Sequence, residues 1–414
     1  MKFSPKQAKA LDAIAAWLAD PHSKQTFYLA GYAGVGKTSV LRHVISDVKG
    51  LVLCGAFTGR AASVMRKAGL PNATTIHRIL YKPAGDPPSQ EMIERTKQEV
   101  ARLRSINDAG ARATADRLAA QLCGMEEEAK RTGPRFALNG ATDLSRAKLC
   151  VIDECSFVSE RIGKDLESFG CKLLVVGDPA QLPPVFGTGY FTTREPDFFL
   201  DEVHRQALDS PILRLADFAR RGEPLPYGKH GNCEVLRSRD PSLQDRALAA
   251  DIVIVGRNRT RHASNAKIRR LLGRSESPAP VLGDKVMGLR NDHELGILNG
   301  SQWTVARSVP NYDAMTAQLD LVSEGGVADE DVDRVGCSSW LHHFMAREDE
   351  LNRLPRRDHY EADYGFAITC HKAQGGGFNN VLVFDESAAF GKDSHRWRYT
   401  AITRSISRVE VVQP

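Results

Sequence analysis

Residues 31–38 read Gly31-Tyr32-Ala33-Gly34-Val35-Gly36-Lys37-Thr38, directly after the apolar run FYLAG (27–31) and before a stretch with helical patterning. This is the phosphate-binding loop pattern GxxxxGK[ST], set between a strand and a helix as the pattern requires. Gly31, Gly34 and Gly36, with Val35 between them, let backbone N–H groups curl around phosphate oxygens. Lys37 reaches β and γ phosphates, Thr38 offers its hydroxyl to Mg²⁺, and the N-terminus of the following helix, with Ser39 in its first turn, adds positive potential. ATP and Mg²⁺ are the ligands this loop predicts.

Outward from the loop, apolar runs alternate with helical patterns: LVLCGAF (51–57), KLCVID (148–153) and KLLVVGD (172–178). Fully apolar strands separated by helices predict a parallel sheet covered on both faces. A second set follows, DIVIVG (251–256), YGFAITC (364–370), NVLVFDES (380–387) and RVEVVQ (408–413), so the fold class is α/β with two tandem layers. From 83 to 140 the texture becomes charged and alanine-rich. Ile93, Val100 and Leu103, then Leu118, Leu122 and Met125, stand at helical spacing around Gly110, which predicts a helical hairpin inserted in the first layer. From Val281 to Val322 the signals are strand-like, with an Asn299-Gly300 turn, and predict a small β-barrel-like insertion in the second layer.

Composition excludes little. The 414 residues suffice for about two to four domains, and 42% hydrophobic with 26% charged residues is ordinary for a globular chain. A net charge of +5 fits a polyanionic partner without demanding one. No apolar run approaches the roughly 20 residues of a membrane span, and the N-terminus lacks the pattern of a signal peptide. A cytoplasmic protein is expected. Eight cysteines without a CxxC pair read as buried free thiols.

Two further segments carry chemistry. Asp153-Glu154 ends the third apolar run, at the carboxyl edge where open α/β sheets bind ligands. Asp153 suits Mg²⁺, held through water, and Glu154 suits orientation and deprotonation of an attacking water. The next strand ends in GDPAQLPP (177–184), where neutral Gln181 both accepts from water and donates to a phosphate oxygen.

GYAGVGKT, AFTGRAA (56–62), TTIHRIL (74–80), VIDECS (151–156), GDPAQLPPV (177–185), EVHRQ (202–206), YGFAITCHKAQG (364–375) and YTAITRS (399–405) occur in the order of the superfamily 1 helicase motifs. The chain resembles the 5′-to-3′ branch of that superfamily, the RecD- and Dda-like, phage-type members, from about Ser4 to Val412. The resemblance implies two RecA-like domains, 1–205 with a pin-type helical insertion at about 83–140, and 206–414 with an SH3-like β insertion at about 281–355. It implies an ATP hydrolase that translocates 5′ to 3′ on single-stranded DNA and opens duplex junctions in replication, repair or recombination. A single-strand binding protein or replication and recombination factors are the implied protein partners.

Residue by residue, the resemblance implies that Gln7 recognises the adenine edge and that Arg205 and Arg404 approach the γ phosphate from the second domain. It adds Gly375 to the nucleotide set and His204 as a stack against adenine, with capping of a helix end as the other reading of that histidine. For DNA it points to Thr58, Arg60, Thr75, His77, Thr369, His371 and Lys372, hydroxyls, imidazoles and cations suited to phosphate and sugar. Two positions depart from relatives: Phe57, which either stacks a base or packs, and Gly377, where relatives place a polar side chain toward the ribose. The competing functional classes are a translocase that unwinds only with partners and a P-loop switch without nucleic acid.

Overall fold

Chemistry-bearing loops in this fold hang from two sheets. In the computed structural model, residues 3–70, 72–83, 90–106, 108–130, 136–184, 189–202, 210–292, 295–323, 333–347, 350 and 359–414 are described. The first lobe runs through α1 (Pro5–Ala19), β1 (Thr26–Gly31), α2 (Lys37–Asp47), β2 (Val52–Ala56), α3 (Gly59–Lys67), β3 (Ala73–Thr75), α4 (Ile76–Leu80) and β4 (Tyr81–Pro83). It continues with α5 (Gln90–Ser105), α6 (Ala109–Lys130), β5 (Phe136–Leu138), β6 (Leu149–Ile152), α7 (Glu160–Glu167), β7 (Leu173–Gly177) and β8 (Phe198–Leu200). Its sheet has the order β3-β2-β6-β7-β1-β8 and every pairing is parallel. β1, β6 and β7 are buried along their whole length, because helices cover both faces and leave no side for polar residues. These three strands are adjacent, so the loops after Gly31, Ile152 and Gly177 emerge side by side at one edge.

The second lobe contains α8 (Pro211–Arg220), β9 (Gly228–His230), β10 (Cys233–Arg237), α9 (Leu243–Ala249), β11 (Ile252–Val255) and α10 (Asn258–Leu271). An antiparallel excursion follows, β12 (Lys285–Gly288), β13 (Gln302–Asn311), β14 (Thr316–Ser323), β15 (Arg334–Trp340) and β16 (Ala362–Tyr364). The chain then returns through β17 (Ala367–Thr369), α11 (Cys370–Ala373), β18 (Phe378–Phe384), α12 (Ser394–Ile402) and β19 (Ser405–Gln413). The second α/β sheet has the order β17-β11-β18-β19-β10-β9, parallel except for its edge strand β9.

The first lobe carries a helical hairpin and the second an antiparallel sheet. α5 and α6 pack on each other as the hairpin. Gly110 is not its turn: it sits in the first turn of α6, whose Ala111 N–H bonds the Asp108 carboxylate at 2.8 Å, so Asp108 caps the helix. The apolar seam is thin: Ile93, Val100 and Ala115 are buried, while Leu103, Leu118, Leu122 and Met125 are half-buried. An antiparallel ribbon, β4 with β5, ties the hairpin's base. In the second lobe the antiparallel sheet has the order β15-β14-β13-β12-β16 and its own core around the fully buried Trp303. The run YGFAITC divides: Tyr364 ends β16 in the insertion, and Ala367 starts β17 in the main sheet. Gly365 joins them because a Cβ there would lie 3.0 Å from the Val286 backbone carbon. All eight cysteines are free thiols, and seven are buried; Cys123 is exposed on α6.

Candidate functional site

The glycine-rich loop takes the conformation its residues dictate. Gly34 and Gly36 both have φ of +80°, which favours glycine. At Gly34 a Cβ would also come within 2.6 Å of Leu213 Cδ1 on α8, so the loop is packed against the second lobe. Val35 is buried in the first-lobe core and anchors the loop from below. Gly36 precedes α2, placing Lys37, Thr38 and Ser39 in the helix's first turn. The Lys37 ammonium donates to the carbonyls of Gly31 at 2.8 Å and Tyr32 at 2.9 Å. Gln7 is buried rather than exposed, as a helix-opening glutamine would usually be. It accepts from Ser4 N–H at 3.0 Å and donates to the Val35 carbonyl at 3.0 Å, tying α1 to the loop. One N–H and one lone pair of its amide remain for a base edge.

Beside the loop, Asp153 accepts from the Glu154 N–H at 2.9 Å. Glu154 has φ of +53°, the left-handed region that non-glycine residues seldom occupy. Burial raises both carboxyl pKa values. On Asp153 the Glu154 N–H and then Lys37 oppose that rise, while on Glu154 Arg404 and then Lys37 do. Gln181 is buried, and its Oε1 has no hydrogen-bond partner. Such an orphaned acceptor at a phosphate loop fits a site completed by water and nucleotide. Among the described residues no cluster of three or more His, Cys, Asp or Glu side chains stands ready for a metal. Thr38 and Asp153 carry oxygen donors of the kind Mg²⁺ takes together with phosphate and water.

From the second lobe, Arg404 is buried just beyond α12, and its positive field reaches Glu154. It donates to the Thr400 carbonyl at 3.1 Å, Gly376 carbonyl at 3.4 Å and Thr403 Oγ1 at 3.3 Å. Arg205 and His204 lie outside the described residues. Three side chains that sequence reasoning did not single out form hydrogen bonds between the lobes. Tyr399 accepts from the Ala33 N–H at 2.7 Å and donates to Asp178 at 2.6 Å. Thr400 Oγ1 accepts from Leu182 N–H at 2.9 Å, and the Gln374 amide donates to the Leu182 carbonyl at 3.2 Å. The signal available was polar residues at buried positions within otherwise apolar motif strings. On the loop's outer side, its Tyr32 and Ala33 line a cavity of about 560 Å³ with Leu213, Arg220 and Tyr399, and the Arg220 guanidinium is 4.2 Å from the centre of the Tyr32 ring.

A second cavity, of about 660 Å³, opens between the lobes and gathers Thr58, Arg60, His77, His371 and Lys372. Thr75 and Thr369 are not part of its lining; both are buried at helix starts, and Thr75 caps α4 by accepting from Arg78 N–H at 3.3 Å. Thr58 caps α3 in the same way, through Ala61 N–H at 3.1 Å. Arg60, which the resemblance points to for DNA, lines the cavity and is held between the lobes. Its guanidinium is buried, donates to the Gly377 carbonyl at 2.9 Å and the Gly300 carbonyl at 3.4 Å, and lies 4.0 Å from the centre of the Phe378 ring. The reason is Gly376, where a Cβ would sit 2.6 Å from Arg60 Nε. Burial first, and Arg404 second, push the Arg60 pKa down to about 10. His77 and His371 are half-buried and held below the usual imidazole range by burial, with Arg161 adding to the effect on His77.

Gly375 has φ of +71° and lies against Ala61 and Thr58 in this second cavity, away from the outer loop cavity. Phe57 is half-buried between the rings of His77 and Phe157, with centroids at 6.2 and 5.8 Å, and also lines the cavity. The antiparallel insertion supplies wall residues that sequence reasoning missed: Asn299, Gly300 and the pair His343 and Glu361, 3.1 Å apart. Glu154 lines this cavity too, while the positive charge of Lys37 in the phosphate loop reaches its carboxylate.

Residues 2–235, more than half of the chain, match the family model of an AAA domain, and residues 364–412 match a UvrD-like helicase C-terminal domain. The ATP-dependent RecD2 DNA helicase of Deinococcus radiodurans is 25% identical over 299 residues, covering 67% of this chain and 38% of that protein's length. A structure of two Pif1 helicases at forked double-stranded DNA aligns with a TM-score of 0.54 and 17% identity, over 99% of this chain and 92% of that one. Bacteroides Pif1 in complex with ADP-AlF3 and single-stranded DNA aligns with a TM-score of 0.53 and 16% identity, over the same shares. The chain has their two-domain, RecA-like α/β fold.

Proposed function

The chain belongs to the AAA-domain family and carries a UvrD-like helicase C-terminal domain; from that premise we propose that it is an ATP-dependent DNA helicase moving 5′ to 3′ on single-stranded DNA. One observation carries the reading: Glu154 stands beside the phosphate loop and also walls a cavity that both lobes line with hydroxyl, imidazole and cationic side chains. Nucleotide chemistry and strand grip are thereby adjacent.

In this reading the loop N–H groups and Lys37 hold the phosphates, and Tyr32 with Arg220 receives the base in the outer cavity. Gln7 contributes its remaining amide capacity to that base. Thr38 and Asp153 hold Mg²⁺, which when bound offsets phosphate charge. Glu154 accepts the proton of the attacking water, and Gln181 orients that water through its free oxygen. Arg404, with Arg205, adds positive charge where the transition state spreads negative charge, and does so only while the lobes are closed. Single-stranded DNA occupies the cavity of Thr58, His77, His371 and Lys372, and alternating closure and reopening moves it. We place the division between domains at 205/206. The hairpin α5–α6 is the pin that parts the duplex.

The test is unwinding of duplexes bearing a 5′ or a 3′ single-stranded tail, with Lys37→Ala as control. The expected result is opening of the 5′-tailed substrate alone, with no opening and ATP hydrolysis lowered at least about a hundredfold by Lys37→Ala. Opening of only the 3′-tailed substrate overturns the polarity. ATP hydrolysis indifferent to added DNA overturns the whole reading.

A further inference from the structure

The tyrosine that opens YTAITRS stands between two parts of the opposite lobe. Its hydroxyl accepts from the N–H of Ala33 in the phosphate loop at 2.7 Å and donates to Asp178 at 2.6 Å. Asp178 is fully buried and accepts from the Ala180 N–H at 2.9 Å, so it shapes the segment that carries Gln181. One turn position further, Thr400 accepts from Leu182 N–H at 2.9 Å. The phenol's pKa is raised well above its ordinary value, by burial first and then by Asp178, so the proton stays on the oxygen and the donated bond to the carboxylate persists.

These bonds fix α12, and α12 fixes Arg404. The helix ends at Ile402, and Arg404 folds back to donate to the Thr400 carbonyl at 3.1 Å, which places its guanidinium relative to the anchored turn. A guanidinium stabilises a transition state only where its donors are aimed in advance. We propose that Tyr399 is a positioning residue for ATP hydrolysis: its hydroxyl locks the phosphate loop, the Gln181 segment and α12 into one unit, and so sets where Arg404 meets the nucleotide. This rests on the reading of the chain as a DNA-stimulated ATPase.

Tyr399→Phe removes one oxygen and leaves the buried ring in place. The expected kcat for DNA-stimulated ATP hydrolysis is about tenfold lower, the scale of one or two well-placed hydrogen bonds. KM for ATP should stay within about twofold, since the bonds act through Arg404 and not on ground-state binding. In an Arg404→Ala background the same change should lower kcat by less than about twofold, because its effect runs through the missing guanidinium. Hydrogen exchange of the peptide containing Ala33 should quicken in Tyr399→Phe, a readout independent of turnover. An unchanged kcat, a full tenfold loss added to that of Arg404→Ala, or unchanged exchange overturns the positioning role. Wild-type protein without DNA-stimulated hydrolysis overturns the premise instead, and the exchange measurement still reports on the contact itself.

Discussion

Arg60 illustrates how a residue type suited to phosphate is turned to another use by its neighbours. Three consecutive glycines, Gly375 to Gly377, let the second lobe approach α3 closely, and the Arg60 guanidinium fills the space with bonds to the Gly377 and Gly300 carbonyls. Charge-assisted bonds to buried carbonyls contribute about 1–3 kcal/mol, so Arg60→Ala should lower the unfolding free energy by that order, measured by chemical denaturation. The same variant should leave the salt dependence of single-strand binding unchanged, whereas loss of a true phosphate contact would reduce the slope by about one unit. The absent side chain at Gly377 thus has a structural counterpart: its carbonyl is an interlobe acceptor.

Among the elements, the hairpin α5–α6 is separable and the α12 anchor is not. The two hairpin helices bury Ile93, Val100 and Ala115 mainly against each other, and their base is held by the β4–β5 ribbon. Removing about residues 90–130 and closing the ribbon with a short turn should therefore spare DNA-stimulated ATP hydrolysis while abolishing strand separation, compared in parallel assays on one preparation. Loss of both activities together would show that the hairpin supports the motor and is no pin. α12, in contrast, presents Tyr399 and Thr400 to the opposite lobe and leads directly into Arg404, so a change in its placement reaches the phosphate loop, Gln181 and the arginine at once.

At the scale of the whole molecule, the interlobe cavity exists only because two lobes and the antiparallel insertion meet. His77 comes from the first lobe and His371 from the second, and burial holds both below the usual imidazole range. A lowered pKa means the neutral form persists to lower pH, so neither imidazole adds charge near pH 7. Single-strand affinity should therefore keep a constant salt slope across neutral pH. It should steepen by about 0.7 per protonated histidine on acidification beyond the usual imidazole range, read from binding titrations at several salt concentrations. His77→Gln with His371→Gln should abolish the steepening. The sequence by itself determined the phosphate loop, the buried parallel strands and the carboxylates at their ends, because each depends on contiguous residues and on the period of local apolar patterning. Only the tertiary structure decided that Tyr399 meets Ala33 across 366 residues, that Arg60 meets Gly377 across 317, and that Asn299 and His343 wall the cavity. A side chain's partner across such separations is set by how the lobes pack, and no local pattern in the chain encodes that geometry.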